Sequence, residues 1–388
     1  MSSETSVVVI YEVGLLIIAA SLGSELFKRI HMPGLIGAVL VGLIIGGPGG
    51  LGLVTNLTVI EILGVLGSVL ILFMVGLEFE APAFWRAGKV AFLLTTGGVV
   101  FSLVAGYLIG VLLGWSPPSA FLLGAVMAPS GTSVVASVLN AEGRVDSKTG
   151  NTILTACIID DIEGILILAI ALALISRQDL SLYEGAELIA VAVLFIFSSM
   201  YIGGKVIPWL ISRFAGALSD ELLYGIFLGS GLVLAFAATQ LGLAAITGAF
   251  LMGAVIPYGK VGEKLSHRMF FMKEIFAAIF FTSIGLTIDP WDVIRFFPVA
   301  LVVCGTAIFA RLTGGLAAGI VAGLRKDTLF ASAFGLAIRA EMSLIIAREA
   351  SATGILGEDF LSVAASATIL SLVLITPIFT RMIRKIPA

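Results

Sequence analysis

Long apolar runs, broken at short intervals by Gly, Pro and charge, divide the chain into about thirteen segments. They begin near Val7, Leu35, Val59, Val90, Ala120, Asn151, Tyr183, Leu222, Leu243, Phe270, Val299, Leu329 and Phe360. Most approach the ~20 residues that a helix needs to cross a bilayer. The second and ninth are short and Gly-rich. Runs of this length, without the short alternating pattern of barrel strands, predict an all-α polytopic membrane protein.

The chain also resembles itself. Gly37-Ala38-Val39-Leu40-Val41-Gly42 matches Gly248-Ala249-Phe250-Leu251-Met252-Gly253 at an offset of 211. Val75-Gly76-Leu77-Glu78-Phe79-Glu80 matches Ile284-Gly285-Leu286-Thr287-Ile288-Asp289 at 209, and Ala128-Pro129-Ser130-Gly131 falls opposite Ala337-Ile338-Arg339-Ala340 at the same offset. The matched helices run in opposite directions, which predicts inverted repeats within a single transporter domain. Residues 7–176 form the first repeat, 183–213 a linker helix and 222–385 the second. Inverted repeats are the signature of alternating-access transporters.

Composition agrees. Of 388 residues 59% are hydrophobic and only 12% charged, half the charge of an average soluble domain. A net charge of −3 disfavours nucleic acid as a partner. Cys157 and Cys304 lie in apolar runs and His31 and His267 in loops, so no disulfide framework and no His/Cys metal motif is expected. The first basic residue is Lys28, so no signal peptide is expected. With the N-terminus outside, 17 basic residues fall at cytoplasmic ends and three at outer ends (Arg177, Arg295, Arg348). The positive-inside rule then places the C-terminus in the cytoplasm of a multi-pass cell-membrane protein.

Within these spans a few polar residues carry chemistry. Asp160 and Asp161 are adjacent in the sixth, where an acid costs roughly 2.5–3.5 kcal/mol to insert and is a functional group by default. Adjacent helix positions diverge by about 100°, so one acid can face a cavity while the other pairs elsewhere. Arg311, in the eleventh span, is the expected partner; a purely structural ion pair is the competing reading. The fifth span is interrupted at Pro129 and Gly131, and the twelfth carries Arg339 and Glu341 at the matching place. Interrupted segments at paired repeat positions point to a midplane site. Arg339 and Glu341 read either as charges that stabilise the broken helix ends or as direct ion contacts. Carboxylate oxygens suit alkali cations. The hydroxyls of Ser130, Thr132 and Ser133, with backbone carbonyls freed at the interruption, are expected to complete a Na⁺ site around Asp160 and Asp161. A carboxylate that takes either H⁺ or Na⁺, never both, gives antiport. Glu163 reads as an interfacial residue near the pair, with lining of the funnel as the alternative; Glu12 and Glu61 read as solvated groups at the outer surface, and Glu78, Glu274 and Asp289 as caps and loop pairs.

At these residues the chain resembles the monovalent cation:proton antiporter superfamily, on the branch holding NapA-type sodium/proton antiporters and Kef-type potassium systems. The matching stretches are His31–Gly37, Leu72–Glu78, Ile158–Ile162, Ile246–Phe250 and Phe280–Gly285. The resemblance implies an inverted-repeat NhaA/NapA-like antiporter fold of thirteen helices with two crossed, unwound helices, and a homodimer. It implies that Asp161 is the main ion- and proton-binding acid and that Asp160 pairs with residue 311. Asp-Asp, where Kef-type proteins usually carry Asn-Asp, favours sodium/proton exchange. Two departures stand out. Arg311 replaces the Lys of NapA-type proteins, which implies a fixed counter-charge and electroneutral exchange. Ile338 and Ala340 replace Pro and Gly in the twelfth span. The reading is therefore a Na⁺ (or Li⁺)/H⁺ antiporter in the lipid bilayer, with no cofactor and no enzymatic activity. K⁺/H⁺ exchange or Kef-type K⁺ efflux, and an organic-anion/Na⁺ symporter on the same fold, are the alternatives.

Overall fold

The computed structural model describes residues 3–386 apart from 31, 47–48, 78–87, 146, 176–181, 215–218, 258–259, 355 and 358. His31, Glu78, Glu80, Arg86 and Arg177 thus lie outside the described residues. Among the described residues the regular structure is helical. In chain order the helices are α1 (Ser3–Arg29), α2 (Gly34–Ile45), α3 (Leu57–Leu77), α4 (Gly88–Leu112), α5 (Pro117–Met127), α6 (Thr132–Ala141), α7 (Lys148–Ile175) and α8 (Leu182–Phe214). There follow α9 (Asp220–Gln240), α10 (Ala245–Val255), α11 (Lys260–Thr287), α12 (Pro290–Arg295), α13 (Phe297–Val321), α14 (Lys326–Leu336), α15 (Glu341–Ser351) and α16 (Asp359–Lys385).

Among the described residues, ten helical segments are long and apolar enough to cross a bilayer, counting α5 with α6 and α14 with α15 as one segment each. Helix α7 is 28 residues long and carries Asp160, Asp161 and Glu163. The Gly-rich second and ninth segments form α2 and α10, of 12 and 11 residues. At 1.5 Å per residue these are too short to span the ~30 Å hydrocarbon layer. Large apolar side chains are exposed along α8, including Leu194, Phe197 and Trp209. Such a surface belongs in hydrocarbon.

The chain forms two compact units, Met1–Ala81 with Ser176–Pro290, and Pro82–Ile175 with Trp291–Ala388. In the first, α3 packs on α10 and α11, α2 packs on α1 and α11, and α9 packs on α10. Glycines set the closest approaches. A Cβ on Gly42 in α2 would run into Thr282 O of α11 and lie 3.0 Å from Gly285 Cα. A Cβ on Gly76 in α3 would run into Phe250 O of α10 and lie 3.0 Å from Gly253 Cα.

Glu12 in this unit corrects the expectation of a solvated outer acid. It is only 2% exposed. Its carboxylate accepts hydrogen bonds from Thr55 N (2.8 Å), Thr55 Oγ1 (2.6 Å), Asn56 N (3.2 Å) and Asn56 Nδ2 (2.9 Å), and so caps the backbone just before α3. Glu61 is exposed, and Glu274 pairs with Lys28 at 3.8 Å.

In the second unit α4 packs on α13, α5 and α7, while α16 packs on α13, α14 and α15. Ser116 accepts a hydrogen bond from Ser119 N (3.4 Å) and caps α5, whose first positions are Pro117 and Pro118. Proline fits there because its missing N–H is one that the helix start leaves unpaired.

The glycine contacts generate a prediction. Gly253→Val should overpack α3 against α10 and cost about 1–3 kcal/mol or more. Gly204→Val, on α8 with nothing within 4 Å of its Cβ position, should change little. Thermal melting of both variants in detergent checks this; equal midpoints would contradict it.

Candidate ion-binding site

Both interruptions predicted from the sequence lie in the second unit. Helix α5 ends at Met127 and α6 begins at Thr132; α14 ends at Leu336 and α15 begins at Glu341. The second break forms without the Pro and Gly that the resemblance implies there. Tertiary hydrogen bonds hold it open instead. Gly131 N donates to Ile338 O at 2.8 Å and Arg339 N donates to Ser371 Oγ at 3.0 Å. A Cβ on Gly131 would lie 2.5 Å from Ala340 Cβ, so the two breaks meet in van der Waals contact.

Each broken end exposes partial charge and unpaired backbone groups. Arg339, 2% exposed, spans the negative ends: its Nη1 donates to Ala128 O (3.2 Å), Pro129 O (2.9 Å) and Leu336 O (3.4 Å). Its Nη2 donates to Ser102 Oγ and Ala307 O, both at 3.4 Å. Arg311 Nε donates to Leu336 O at 3.2 Å and Nη1 to Thr95 O at 3.4 Å. The positive ends have no capping side chain of their own, since the N-cap residues are Gly131 and Ala340. Carboxylates supply the need at the α6 end, and Glu341 itself lies in the first turn of α15. Asp160 Oδ2 accepts from Ser130 N at 2.6 Å, and Glu341 Oε1 accepts from Ser133 N at 2.8 Å.

The aspartates divide as their 100° separation allows. Asp160, fully buried, lies 2.5 Å from Arg311 Nη2 through Oδ1. Asp161, 3% exposed, accepts from Thr132 Oγ1 at 2.8 Å through Oδ2. Ser130 Oγ is buried and makes no hydrogen bond among the described residues. Asp160, Asp161, Ser130 and Thr132 therefore come together at the start of α6, with Pro129 turning the chain into it. Ser133 is exposed and contributes its backbone N–H to Glu341.

Two expectations are corrected. The carbonyls freed at the first interruption, Ala128 O and Pro129 O, face the Arg339 guanidinium, a poor position for a second cation. Glu163 is not interfacial: it lies mid-way along α7 and accepts a 2.5 Å hydrogen bond from Thr96 Oγ1 in α4. Thr95, Thr96, Ser102 and Ser371 had no motif to mark them. Ser371 had one signal, its position 211 residues after Asp160. Among the described residues no group of three or more His, Cys, Asp or Glu could hold a metal ion. The oxygen set on Asp161, Thr132 and Ser130 suits a monovalent cation.

The family model for the sodium/hydrogen exchanger transmembrane domain matches residues 15–385. The chain belongs to the sodium/hydrogen exchanger family. These proteins are transporters of cations and protons, not enzymes. Among relatives of this exchanger, the probable Na⁺/H⁺ antiporter GerT of Bacillus cereus is 26% identical over 350 residues, covering 90% of this chain and 92% of GerT. The Na⁺/H⁺-K⁺ antiporter GerN of the same organism is 27% identical, covering 95% and 94%. The fold is that of the sodium proton antiporter MjNhaP1 from Methanocaldococcus jannaschii, with a TM-score of 0.78 at 17% identity over 98% of this exchanger and 99% of that chain.

The buried pair predicts a pattern of stability. Arg311→Ala leaves Asp160 uncompensated and should destabilise the exchanger by about 3–5 kcal/mol. The double variant Asp160→Leu/Arg311→Leu should recover much of that loss. Thermal or denaturant unfolding in detergent measures both; equal losses would show that the pair is not the controlling interaction.

Proposed function

We propose that this protein exchanges Na⁺, or Li⁺, for H⁺ across the cell membrane by alternating access, with cation and proton competing at Asp161. The observation that carries the reading is that two adjacent acids meet different groups. Asp160 is committed to the Arg311 guanidinium and to Ser130 N. Asp161 meets the Thr132 hydroxyl, whose oxygen can ligate a cation as readily as it donates to a carboxylate. Arg339 and Glu341 act as crossover charges, because their polar atoms serve backbone groups at the broken ends.

The mobile architecture in this proposal is an inverted repeat of thirteen spans, six on each side of the α8 linker. Support comes from the glycine contacts. Under offsets of 209–211, the pair Gly42–Gly285 maps onto Gly253–Gly76, and their carbonyl neighbours Thr282 and Val39 map onto Phe73 and Phe250. Ser130 N to Asp160 maps likewise onto Arg339 N to Ser371. The charge bias of the loops supports an outer N-terminus and a cytoplasmic C-terminus. The family resemblance supports a homodimer.

Proteoliposomes with a trapped pH dye and an imposed pH gradient test the exchange. Na⁺ and Li⁺ should dequench the dye with wild type and fail to do so with Asp161→Asn. A response to K⁺ alone would move the protein to potassium exchange. No response to any cation from folded protein would overturn the proposal.

Arg311 adds a second prediction. A guanidinium is not deprotonated in a protein, so the counter-charge stays fixed and Asp161 is left as the single exchangeable site. Exchange should then be one-for-one and electroneutral. A solid-supported-membrane recording should show no sustained Na⁺-driven current; a robust current would exclude a fixed counter-charge.

A further inference from the structure

Helix α4 carries two consecutive glycines, Gly97 and Gly98, in its interior. Interior glycines weaken a helix, so each needs a reason. Gly97 has one in helix packing: a Cβ there would lie 2.6 Å from Ala318 Cβ and 3.2 Å from Gly314 O on α13. Gly98 has a different one. The three atoms nearest its Cβ position are Arg311 Cδ, Nε and Nη1, each at 2.9 Å. That contact is tighter than a Cβ tolerates, and Arg311 is not free to retreat. Its Nη2 is held by Asp160 at 2.5 Å, its Nε by Leu336 O at 3.2 Å and its Nη1 by Thr95 O at 3.4 Å.

We propose that Gly98 is a positioning residue of the ion-binding site: it seats the guanidinium that orients Asp160, and it determines that the counter-charge is arginine. The planar fork reaches a carboxylate, the C-terminal carbonyl of α14 and a carbonyl of α4 from one group. A lysine ammonium reaches one or two of these but bends freely around an added methyl. Gly98 and residue 311 are therefore a matched pair. The functional part of this inference rests on the proposed role of the Asp160–Arg311 pair in exchange.

A double-mutant cycle tests it, using Gly98→Ala, Arg311→Lys and both together in the full chain. Each is read by KM for Na⁺ in proteoliposomes and by thermal midpoint in detergent. Gly98→Ala should raise KM about five- to tenfold and lower the midpoint, a size typical of coupled neighbours. The double variant should return to within about twofold of Arg311→Lys alone. Gly97→Ala, which strikes α13 rather than the guanidinium, should lower the midpoint without rescue by Arg311→Lys. If Gly98→Ala does not fold, recovery of folding by Arg311→Lys supports the seat and its absence overturns it. Wild-type behaviour of Gly98→Ala, additive losses in the double variant, or equal rescue of Gly97→Ala would each overturn it. Should wild type fail to exchange Na⁺, the functional proposal falls, while the thermal cycle still reads the seat.

Discussion

A helix broken inside a bilayer must find partners for its freed backbone groups within the protein, because hydrocarbon offers none. The site depends on this constraint. Two broken helices present two negative and two positive ends close together. Arg339 and Arg311 take carbonyls at the negative ends, and Asp160 and Glu341 take amides at the positive end of α6. The charges that would be so costly singly in a membrane are thereby the groups that make the interruption possible. Removing the break would strand the charges, and removing the charges would strand the break.

This arrangement explains why the site carries more acid than exchange at a single carboxylate requires. Asp160 is structural and electrostatic at once: one oxygen receives the Ser130 amide just before α6 and the other receives Arg311. Asp161, one residue on, meets the Thr132 hydroxyl at the same helix start. Adjacency in sequence becomes a division of labour because an α-helix turns by about 100° per residue. The guanidinium at 311 sharpens the division, since it holds three acceptors and cannot give up its proton.

Glycine works in this fold at chosen contacts rather than as general flexibility. In the first unit it allows backbone-to-backbone crossings of α2 with α11 and of α3 with α10. In the second unit it allows Gly131 to meet Ala340 at the crossing and Gly98 to lie under Arg311. Without water to drive helices together, close approach through small residues is the main source of packing energy in a bilayer. A protein with 45 glycines in 388 residues can place them at each crossing.

What the sequence determined by itself was whatever depends on local composition and spacing. Apolar runs mark the spans, Pro129 and Gly131 mark the first break, and intramembrane charges stand out because hydrocarbon makes them expensive. Tertiary structure decided which polar groups meet. Glu12 looked like a solvated acid at a helix start, yet it folds onto Thr55 and Asn56 more than 40 residues away. Glu163 is half-buried and bonded to Thr96, 67 residues distant. The carbonyls freed beside Pro129 seemed open to a cation, but Arg339, some 210 residues on, occupies them. The twelfth span breaks at Ala337–Ala340, a stretch without Pro or Gly, because Ser371 and Gly131 reward the broken form. A hydrogen bond depends on position to within tenths of an ångström, and the packing of distant helices sets that position where no local pattern records it.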